Sequence, residues 1–312
     1  MIAVVTRSGL DEAFHDGCVV AVGPDGGVIG HHGDADRVFF VRSSAKPFQA
    51  ATALELGAEL PPEHLALACA SHDGSPTHIA IVQAMLEAGG LGESDLGCPP
   101  SRPLGESADR EWARAGSIER RRIFHNCSGK HAAMLRACVA QGWPTATYLQ
   151  PEHPLQQAML RTMDEVGMLA GTEVGVDGCG APVFRVSARR LAAAFAGLES
   201  DRFRQVWTAM HRFPVLVSGP GNADAEIAVA LDAVAKRGAE GLLAIAVRGR
   251  GALVIRCWDG SDRPLAVAAL AAMEQLGWVN EKTPFLDRLR RPVRGGGTPV
   301  GSVRAVFELE SE

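Results

Sequence analysis

The chain has 312 residues, of which 46% are apolar and 21% are charged, and this composition is typical of a soluble globular protein with a large buried core. The formal net charge of −5 and the single tyrosine argue against a nucleic-acid surface. Since the first residues lack the pattern of a signal peptide and no apolar run reaches the ~18 residues of a membrane span, we expect a cytoplasmic protein that binds neither nucleic acid nor a membrane.

The first half of the chain predicts a β-hairpin followed by several helices. The hairpin is predicted from 18–22 and 28–30 across a turn at 23–27, and a further apolar β-type run covers 38–41. Helices are predicted at 48–56, 61–70, 76–88 and 132–141, and the proline-rich stretch 97–105 is predicted to be a loop.

The second half predicts further helices and one more hairpin. Helices are predicted at about 154–169, 187–197, 201–212, 224–237 and 264–277, strands at 242–247 and 252–257, and a glycine-rich loop at 292–301. Because strands and helices mix without strict alternation and hairpins favour an antiparallel sheet, the pattern predicts an α+β fold with helices packed on the sheet. We expect residues 1–312 to form a single domain whose two lobes share a cleft.

Seven cysteines, an odd number in a chain of this length, do not indicate a disulfide framework. Four of them lie among apolar neighbours and are expected in the core: Cys18, Cys69, Cys138 and Cys257.

Lysine is scarce in this chain, with four lysines against twenty-seven arginines. Three of the four, Lys46, Lys130 and Lys236, lie in short motifs of reactive residue types, whereas Lys282 lies in a polar turn. A lysine amine can lose its proton near neutral pH and a guanidinium cannot, so an amine kept at these positions indicates a base, a nucleophile or a metal ligand.

The motif Arg42-Ser43-Ser44-Ala45-Lys46-Pro47 stands at a predicted strand-to-helix junction. Ser43 and Lys46 are separated by three positions, which on a helix places both side chains on one face. A neutral amine there would take the proton of the hydroxyl, as in serine–lysine hydrolases. The alternative is a structural role, with Ser43 as a helix N-cap and Lys46 as a surface charge.

Cys127 and Lys130 repeat the same spacing, and Cys179 lies in a second turn rich in glycine. Two thiolates suit zinc, and a neutral lysine amine is an unusual third ligand. Cys127 is equally open to a role as a nucleophile or a buried thiol. Lys236 is expected at a helix C-terminus, where it would also favour the helix dipole without any catalytic role.

Taken in order, these motifs resemble the signatures of one family, the rhizobial-type (class 3) L-asparaginases, or asparaginase II family. The segments that carry the resemblance are 42–47, 69–72 (Cys-Ala-Ser-His), 126–131 (Asn-Cys-Ser-Gly-Lys-His), 177–179 (Asp-Gly-Cys) and 236–241 (Lys-Arg-Gly-Ala-Glu-Gly). Residues 7–10 with His15, and 151–155, are similar to the same family, so the resemblance covers nearly the whole chain.

The resemblance implies a fold like that of serine β-lactamases and glutaminases, a homodimer, and hydrolysis of L-asparagine to aspartate and ammonia. It implies two serine–lysine pairs, Ser43 with Lys46 and Ser71 with Lys236, and we favour Ser43 as the attacking serine. It also implies a supportive zinc ion and a substrate pocket. The implied zinc ligands are Cys127, Lys130 and Cys179, and the implied pocket residues are Arg42, His72, His131 and Asp177.

The chain departs from the family pattern at two places. It has Gly219-Pro220-Gly221-Asn222-Ala223 where the family usually has Gly-x-Gly-Arg-Phe, and Arg256 where the family tends to have lysine. Two other functions therefore stay open at this point. One is a serine–lysine hydrolase for glutamine or a β-lactam, and the other is a non-catalytic sensor of an amino acid or zinc.

Overall fold

The computed structural model describes residues 1–279, 286–290 and 292–311. The strands, in chain order, are β1 (Ala3–Arg7), β2 (Leu10–His15), β3 (Gly17–Val22), β4 (Val28–His32), β5 (Phe39–Phe40), β6 (Val174–Val176), β7 (Pro182–Val186), β8 (Ala233–Gly238), β9 (Leu242–Val247), β10 (Gly251–Cys257), β11 (Pro292–Gly295) and β12 (Thr298–Ala305). The α-helices are α1 (Lys46–Glu55), α2 (Pro62–Ala68), α3 (Pro76–Glu87), α4 (Glu106–Arg114), α5 (Ser128–Gln141), α6 (Pro154–Glu165), α7 (Ala188–Ala196), α8 (Arg204–Arg212), α9 (Pro214–Ser218), α10 (Ala223–Ala230) and α11 (Leu265–Gln275).

A five-stranded antiparallel sheet with the strand order β4-β3-β10-β9-β8 forms the centre of the molecule. Successive side chains of a strand point to opposite faces, so a strand between two layers buries both sets. On β3, Val20 packs into the core cluster that includes most helices, whereas Val19 and Ala21 pack into a second cluster with α11. The sheet therefore separates two apolar cores.

Two smaller antiparallel sheets complete the strand pairing of the described residues, with the orders β11-β12-β1-β2 and β5-β7-β6. The mixture of helices with antiparallel sheets confirms the predicted α+β class. The predicted hairpin over 242–247 and 252–257 is confirmed as β9 and β10. The predicted arrangement of two lobes in a single domain stays a prediction.

Two predicted elements are wrong. The helix predicted at 224–237 ends at Ala230, and the chain continues as β8, because Lys236 and its neighbours pair with β9. The loop predicted at 292–301 is the β11–β12 hairpin. Its turn uses Gly296 and Gly297, both with positive φ (54° and 83°), a backbone conformation that glycine adopts without steric cost.

Several elements bring the sequence motifs to one place. A 3₁₀ turn over Arg42–Ala45 leads into α1, which begins at Lys46, and Pro47 is tolerated in the first turn because its missing amide needs no intrahelical partner. Ser71 follows the end of α2, and β8 carries Lys236. Tertiary packing rather than local spacing therefore unites the motifs.

Three further expectations from the sequence concern the cysteines, membrane-spanning helices and Lys282. All seven cysteines are free thiols and all are buried, including the four expected in the core. No helix in the described part of the chain is both long and apolar enough to span a bilayer. Lys282 lies outside the described residues.

Candidate active site

Two lysine amines meet at one serine hydroxyl. Lys46 Nζ donates a hydrogen bond to Ser71 Oγ at 2.9 Å, and Lys236 Nζ donates to the same oxygen at 3.0 Å. Lys46 also donates to the Ala70 carbonyl, and Lys236 to the Arg237 carbonyl at 2.7 Å. Both lysines are buried, with 1% and 0% of their surface exposed. These contacts bring together three of the predicted motifs, 42–47, 69–72 and 236–241, which are far apart in the chain.

Burial has a direct electrostatic consequence for Lys236. Removal from water disfavours the ammonium form, and the nearby positive charge of Lys46 adds to this effect, so the pKa of Lys236 is lowered to about 7. An amine with such a pKa is substantially unprotonated at neutral pH. It is therefore able to accept a proton from a neighbouring hydroxyl.

Ser43 lies close to this centre in a different way. Among the described residues Ser43 makes no hydrogen bond to Lys46, whose amine is directed at Ser71 instead. Ser43 lines the cavity that contains Ser71, and it also lines a narrow recess next to Lys46 and Asp177. Ser43 thus lies where the cavity and the narrow recess meet.

The cavity beside the paired amines has a volume of about 420 Å³. Sequence reasoning did not single out several polar residues that line it: Asp73, Asn126, Arg237 and Asp262. Asn126 and Arg237 lie within the recognised motifs 126–131 and 236–241, and Asp73 directly follows the motif 69–72. The signal in the sequence that could have identified such residues was a charged side chain next to a reactive one.

Asp73 and Arg237 give this cavity both signs of charge. Asp73 Oδ1 lies 2.7 Å from His78 Nδ1, and Arg237 Nη1 lies 3.4 Å from Asp262 Oδ2. Burial raises the pKa of Asp73, but the hydrogen bond from His78 and its charge outweigh burial, so the pKa lies below its ordinary value. Asp73 is therefore an anion at neutral pH.

The predicted zinc ligands include a tight contact between an amine and a sulfur. Lys130 Nζ donates to Cys179 Sγ at 3.0 Å, and the side chains of Cys127, Lys130 and Cys179 are all buried. A hydrogen bond from the Cys127 thiol holds the pKa of Cys179 well below its usual range, against the effect of burial, and the charge of Lys130 acts in the same direction. The same contact and burial raise the pKa of Cys127.

Arg42 and Asp177 form an ion pair at the narrow recess, with Arg42 Nε 2.6 Å from Asp177 Oδ1. Arg42 Nη1 also lies 3.7 Å from Glu240 Oε1. The backbone of Arg42 has a φ of 48°, a conformation that side chains with a Cβ rarely adopt. The guanidinium is thus held at the recess by two carboxylates and by a strained backbone.

The two predicted pocket histidines are not among the residues that line the cavity. His72 Nε2 lies 2.9 Å from Ser128 Oγ, its ring stacks on His78, and it is not among the residues that line the cavity. His131 Nδ1 lies 2.5 Å from the Tyr148 hydroxyl, while its Nε2 is buried and makes no hydrogen bond with any described residue. Burial lowers the pKa of both histidines.

The two departures from the family pattern occupy different surroundings. Asn222 lines the cavity, at the position where the family usually has arginine. Arg256 is not among the residues that line the cavity, and its guanidinium lies over the rings of Phe39 and Trp258, at 5.3 Å and 5.8 Å from their centroids. Only the first departure changes the cavity among the described residues.

Comparison with known proteins identifies the class of protein as an asparaginase-type amidohydrolase. The model of the L-asparaginase II family matches residues 3–305, and the chain belongs to this family. No curated protein matches the chain. Among solved structures, the chain is similar to a crystal structure of a β-lactamase from Mycobacterium bovis, with 18% identity over 83% of this chain and 94% of that chain and a TM-score of 0.40. A likeness with this low identity and TM-score carries no argument about activity.

Proposed function

We propose that the protein hydrolyses L-asparagine to L-aspartate and ammonia by transfer of the aspartyl group to a serine. The observation that supports this most is the meeting of Lys46 and Lys236 at Ser71 Oγ beside an accessible cavity. Paired buried amines on a hydroxyl provide proton transfer, which binding alone does not require. This argues against a sensor that only binds an amino acid.

We assign the attack to Ser43. Its proton passes through the Ser71 hydroxyl to the amine of Lys236, which is partly unprotonated at neutral pH, while Ser43 Oγ forms a bond to the side-chain amide carbon of the substrate. The carbon–nitrogen bond then breaks, and Ser71 donates its proton to the departing nitrogen, so that ammonia leaves. Water next attacks the ester, which releases aspartate and restores the Ser43 hydroxyl.

Ser71 acts as a proton relay in this proposal. Its oxygen accepts hydrogen bonds from both amines and is 93% buried, whereas Ser43 is more exposed at the junction of the cavity and the recess. After Ser71 gives its proton to the leaving nitrogen, one of the two ammonium groups returns a proton to it. The low pKa of Lys236 keeps this exchange available near neutral pH.

We further propose that the charges of the cavity recognise an amino acid in its zwitterionic form. The Asp73 carboxylate suits the α-ammonium group, and the Arg237 guanidinium suits the α-carboxylate, to which it can bind through two nitrogens. Arg237 would thus supply a cation on the side where Asn222 replaces the arginine usual in the family. Fixed contacts at both ends of the substrate are what discrimination against one additional methylene requires.

We also propose a zinc ion held by Cys127, Lys130 and Cys179. The donor set of two thiols and one amine fits zinc, and the buried His131 Nε2 without a hydrogen bond is a further polar atom in this neighbourhood. A bound zinc ion would supply a fixed positive charge that orients the substrate. The ligands themselves must lose protons, including the one that Lys130 now shares with Cys179. A homodimer, as the family resemblance implies, is part of the same proposal.

The test is ammonia release by the purified zinc-loaded protein from L-asparagine and L-glutamine, with hydrolysis of a chromogenic β-lactam measured in parallel. We expect rapid release from asparagine and much slower release from glutamine. Equal rates on the two amides, or turnover of the β-lactam alone, would reject the assignment. Absence of turnover with tight asparagine binding would instead identify a sensor.

A further inference from the structure

A second group of metal-ligating side chains lies outside the active site. His15 ends β2, Cys257 ends β10, and Asp259 lies in the turn that follows β10. His15 Nδ1 lies 2.7 Å from Asp259 Oδ2, and Cys257 Sγ lies 2.9 Å from Asp259 Oδ1. Cys257 Sγ and His15 Nδ1 are 3.9 Å apart. Three different donor types from two parts of the chain, His15 and the segment 257–259, therefore converge on one point.

The surroundings of these side chains suit an ion that enters from solvent. His15 and Cys257 are buried, whereas 44% of the Asp259 side chain is exposed. The polar contacts of the His15 side chain lie on the Nδ1 side, since its Nε2 makes no hydrogen bond with any described residue. The group is thus closed on its buried side by His15 and Cys257, and it is accessible to solvent at the Asp259 carboxylate.

We propose that His15 Nδ1, Cys257 Sγ and the Asp259 carboxylate bind a zinc ion, with water as the fourth ligand. One thiolate, one imidazole and one carboxylate are the ligand types that zinc accepts together. Magnesium and calcium prefer oxygen ligands alone, so the thiolate and imidazole select against them. This proposal concerns a site distinct from the cluster of Cys127, Lys130 and Cys179.

The distances fit an ion after a small movement of the carboxylate. Zinc–ligand bonds of ~2.0–2.3 Å in a tetrahedral arrangement place ligand atoms roughly 3.3–3.7 Å apart. The sulfur–nitrogen distance of 3.9 Å is already close to this spacing, while the two contacts of Asp259 are shorter because each now contains a proton. An ion would replace both protons, and an outward movement of the partly exposed Asp259 carboxylate would exchange its hydrogen bond from the Ser261 amide, at 2.7 Å, for a bond to the ion.

The site would connect two sheets of the fold. β2 belongs to the outer four-stranded sheet and β10 to the central sheet. The amide of Cys257 donates to the Gly241 carbonyl at 2.8 Å, next to Glu240, the residue that pairs with Arg42. We therefore expect the ion to stabilise the junction of the two sheets behind the turn that contains Glu240.

The first test is zinc content per chain, measured by elemental analysis after loading with zinc and removal of unbound metal. We expect Cys257→Ala to contain one equivalent less than the wild type. Cys18→Ala is the matched control, because Cys18 is an equally buried thiol in the neighbouring strand, paired in register with Arg256. It should retain the wild-type content. Equal zinc in the wild type and Cys257→Ala would overturn the site and leave a hydrogen-bonded cluster.

The second test uses Asp259→Asn, which removes the negative charge, keeps one of the two oxygen acceptors and alters an exposed side chain. We expect its zinc affinity at this site to fall by at least about tenfold, because even ligand-orienting residues have effects of that size. Zinc titration should raise the melting temperature of the wild type more than that of Asp259→Asn. Identical affinity and identical stabilisation would overturn the proposal.

These measurements do not depend on amide hydrolysis. If the zinc ion proposed at Cys127, Lys130 and Cys179 is absent, the wild type should contain one equivalent and Cys257→Ala none. If both sites exist, the contents should be two and one. If the protein is inactive but Cys257→Ala contains one equivalent of zinc less than the wild type, the proposed asparaginase activity is rejected and this site is supported.

Discussion

Lys46 at the start of α1 and Lys236 in β8 donate hydrogen bonds to one oxygen atom, Ser71 Oγ, at 2.9 Å and 3.0 Å. Two ammonium groups that share one acceptor in a buried site repel each other, and the repulsion is relieved when one of them loses its proton. The lowered pKa of Lys236, about 7, identifies it as the member that is readily neutral. The predictions for the two lysines and for Ser43 and Ser71 depend on this relationship.

Lys46→Arg and Lys236→Arg should each reduce kcat/KM by about 10²–10⁴-fold, the usual loss when a general base is removed. A guanidinium keeps the charge but cannot accept a proton at any working pH. Steady-state ammonia release measures the effect, with circular dichroism to verify folding. Arg248→Lys, an exchange in the reverse direction at a half-exposed position, is the control and should be nearly neutral. A variant that keeps more than about a tenth of the wild-type value would remove that lysine from the mechanism.

kcat/KM for asparagine should rise with pH through about 7, as Lys236 loses its proton in the free enzyme. The rise should approach a tenfold change per pH unit on its acidic side, because one proton must leave. Initial rates between pH 5.5 and 9 at low substrate concentration give the profile. A profile that is flat through neutrality would contradict a neutral Lys236 as the active form.

Lys236 should also make stability depend on pH. Its pKa is about 7 in the folded protein and ~10.4 in an unfolded chain, so the unfolded chain binds the additional proton between these values. The free energy of unfolding should therefore rise as pH increases from about 7 toward about 10, by at most ~1.4 kcal/mol per pH unit. Urea denaturation of the wild type and Lys236→Met tests this. The same pH dependence in both proteins would exclude Lys236 as its source.

Ser43→Ala and Ser71→Ala should fail at different steps. Without Ser43 no covalent aspartyl-enzyme should form, and activity should fall by about 10³-fold or more. Ser71→Ala should still form the adduct, with turnover reduced by about 10²–10⁴-fold through loss of the proton relay. Intact-protein mass measured after acid quenching distinguishes the two. An adduct that persists in Ser43→Ala and disappears in Ser71→Ala would assign the attack to Ser71 instead.

Cys179→Ser should lower zinc content and raise KM for asparagine more than it lowers kcat, because the proposed ion orients the substrate and does not supply the nucleophile. Zinc retention should also weaken as pH falls, since the ligands must be unprotonated to bind. Elemental analysis and steady-state kinetics provide the two measurements, and Cys138→Ser, a buried thiol on α5 away from the site, is the control. Unchanged zinc in Cys179→Ser would reject these ligands.

Local sequence patterns predicted most helices because they depend on neighbours within a few turns. The predicted helix starts at 76 and 154 agree with α3 and α6, whose first turns are capped by the side chains of Ser75 and His153, and the β9–β10 hairpin was predicted from two apolar runs around a glycine turn. The same reasoning failed for Lys236. Alanine-rich residues 224–237 favour a helix locally, and pairing of Lys236 with Ala244 on β9 overrides that preference.

The sequence by itself determined the family of this protein and indicated its candidate reactive residues. The scarcity of lysine identified Lys46, Lys130 and Lys236, and the ordered motifs indicated an asparaginase before any contact was known. Residue type and spacing within a motif are local properties and can be read directly.

Only the tertiary structure decided which groups meet. It directed the Lys46 amine to Ser71 rather than to Ser43 three positions away, and it placed Asp73 and Arg237 in one cavity. It also joined His15 to Cys257 and Asp259 from opposite ends of the chain. The reason is that the direction of a buried side chain is set by the packing of strands and helices distant in sequence, which no local pattern encodes.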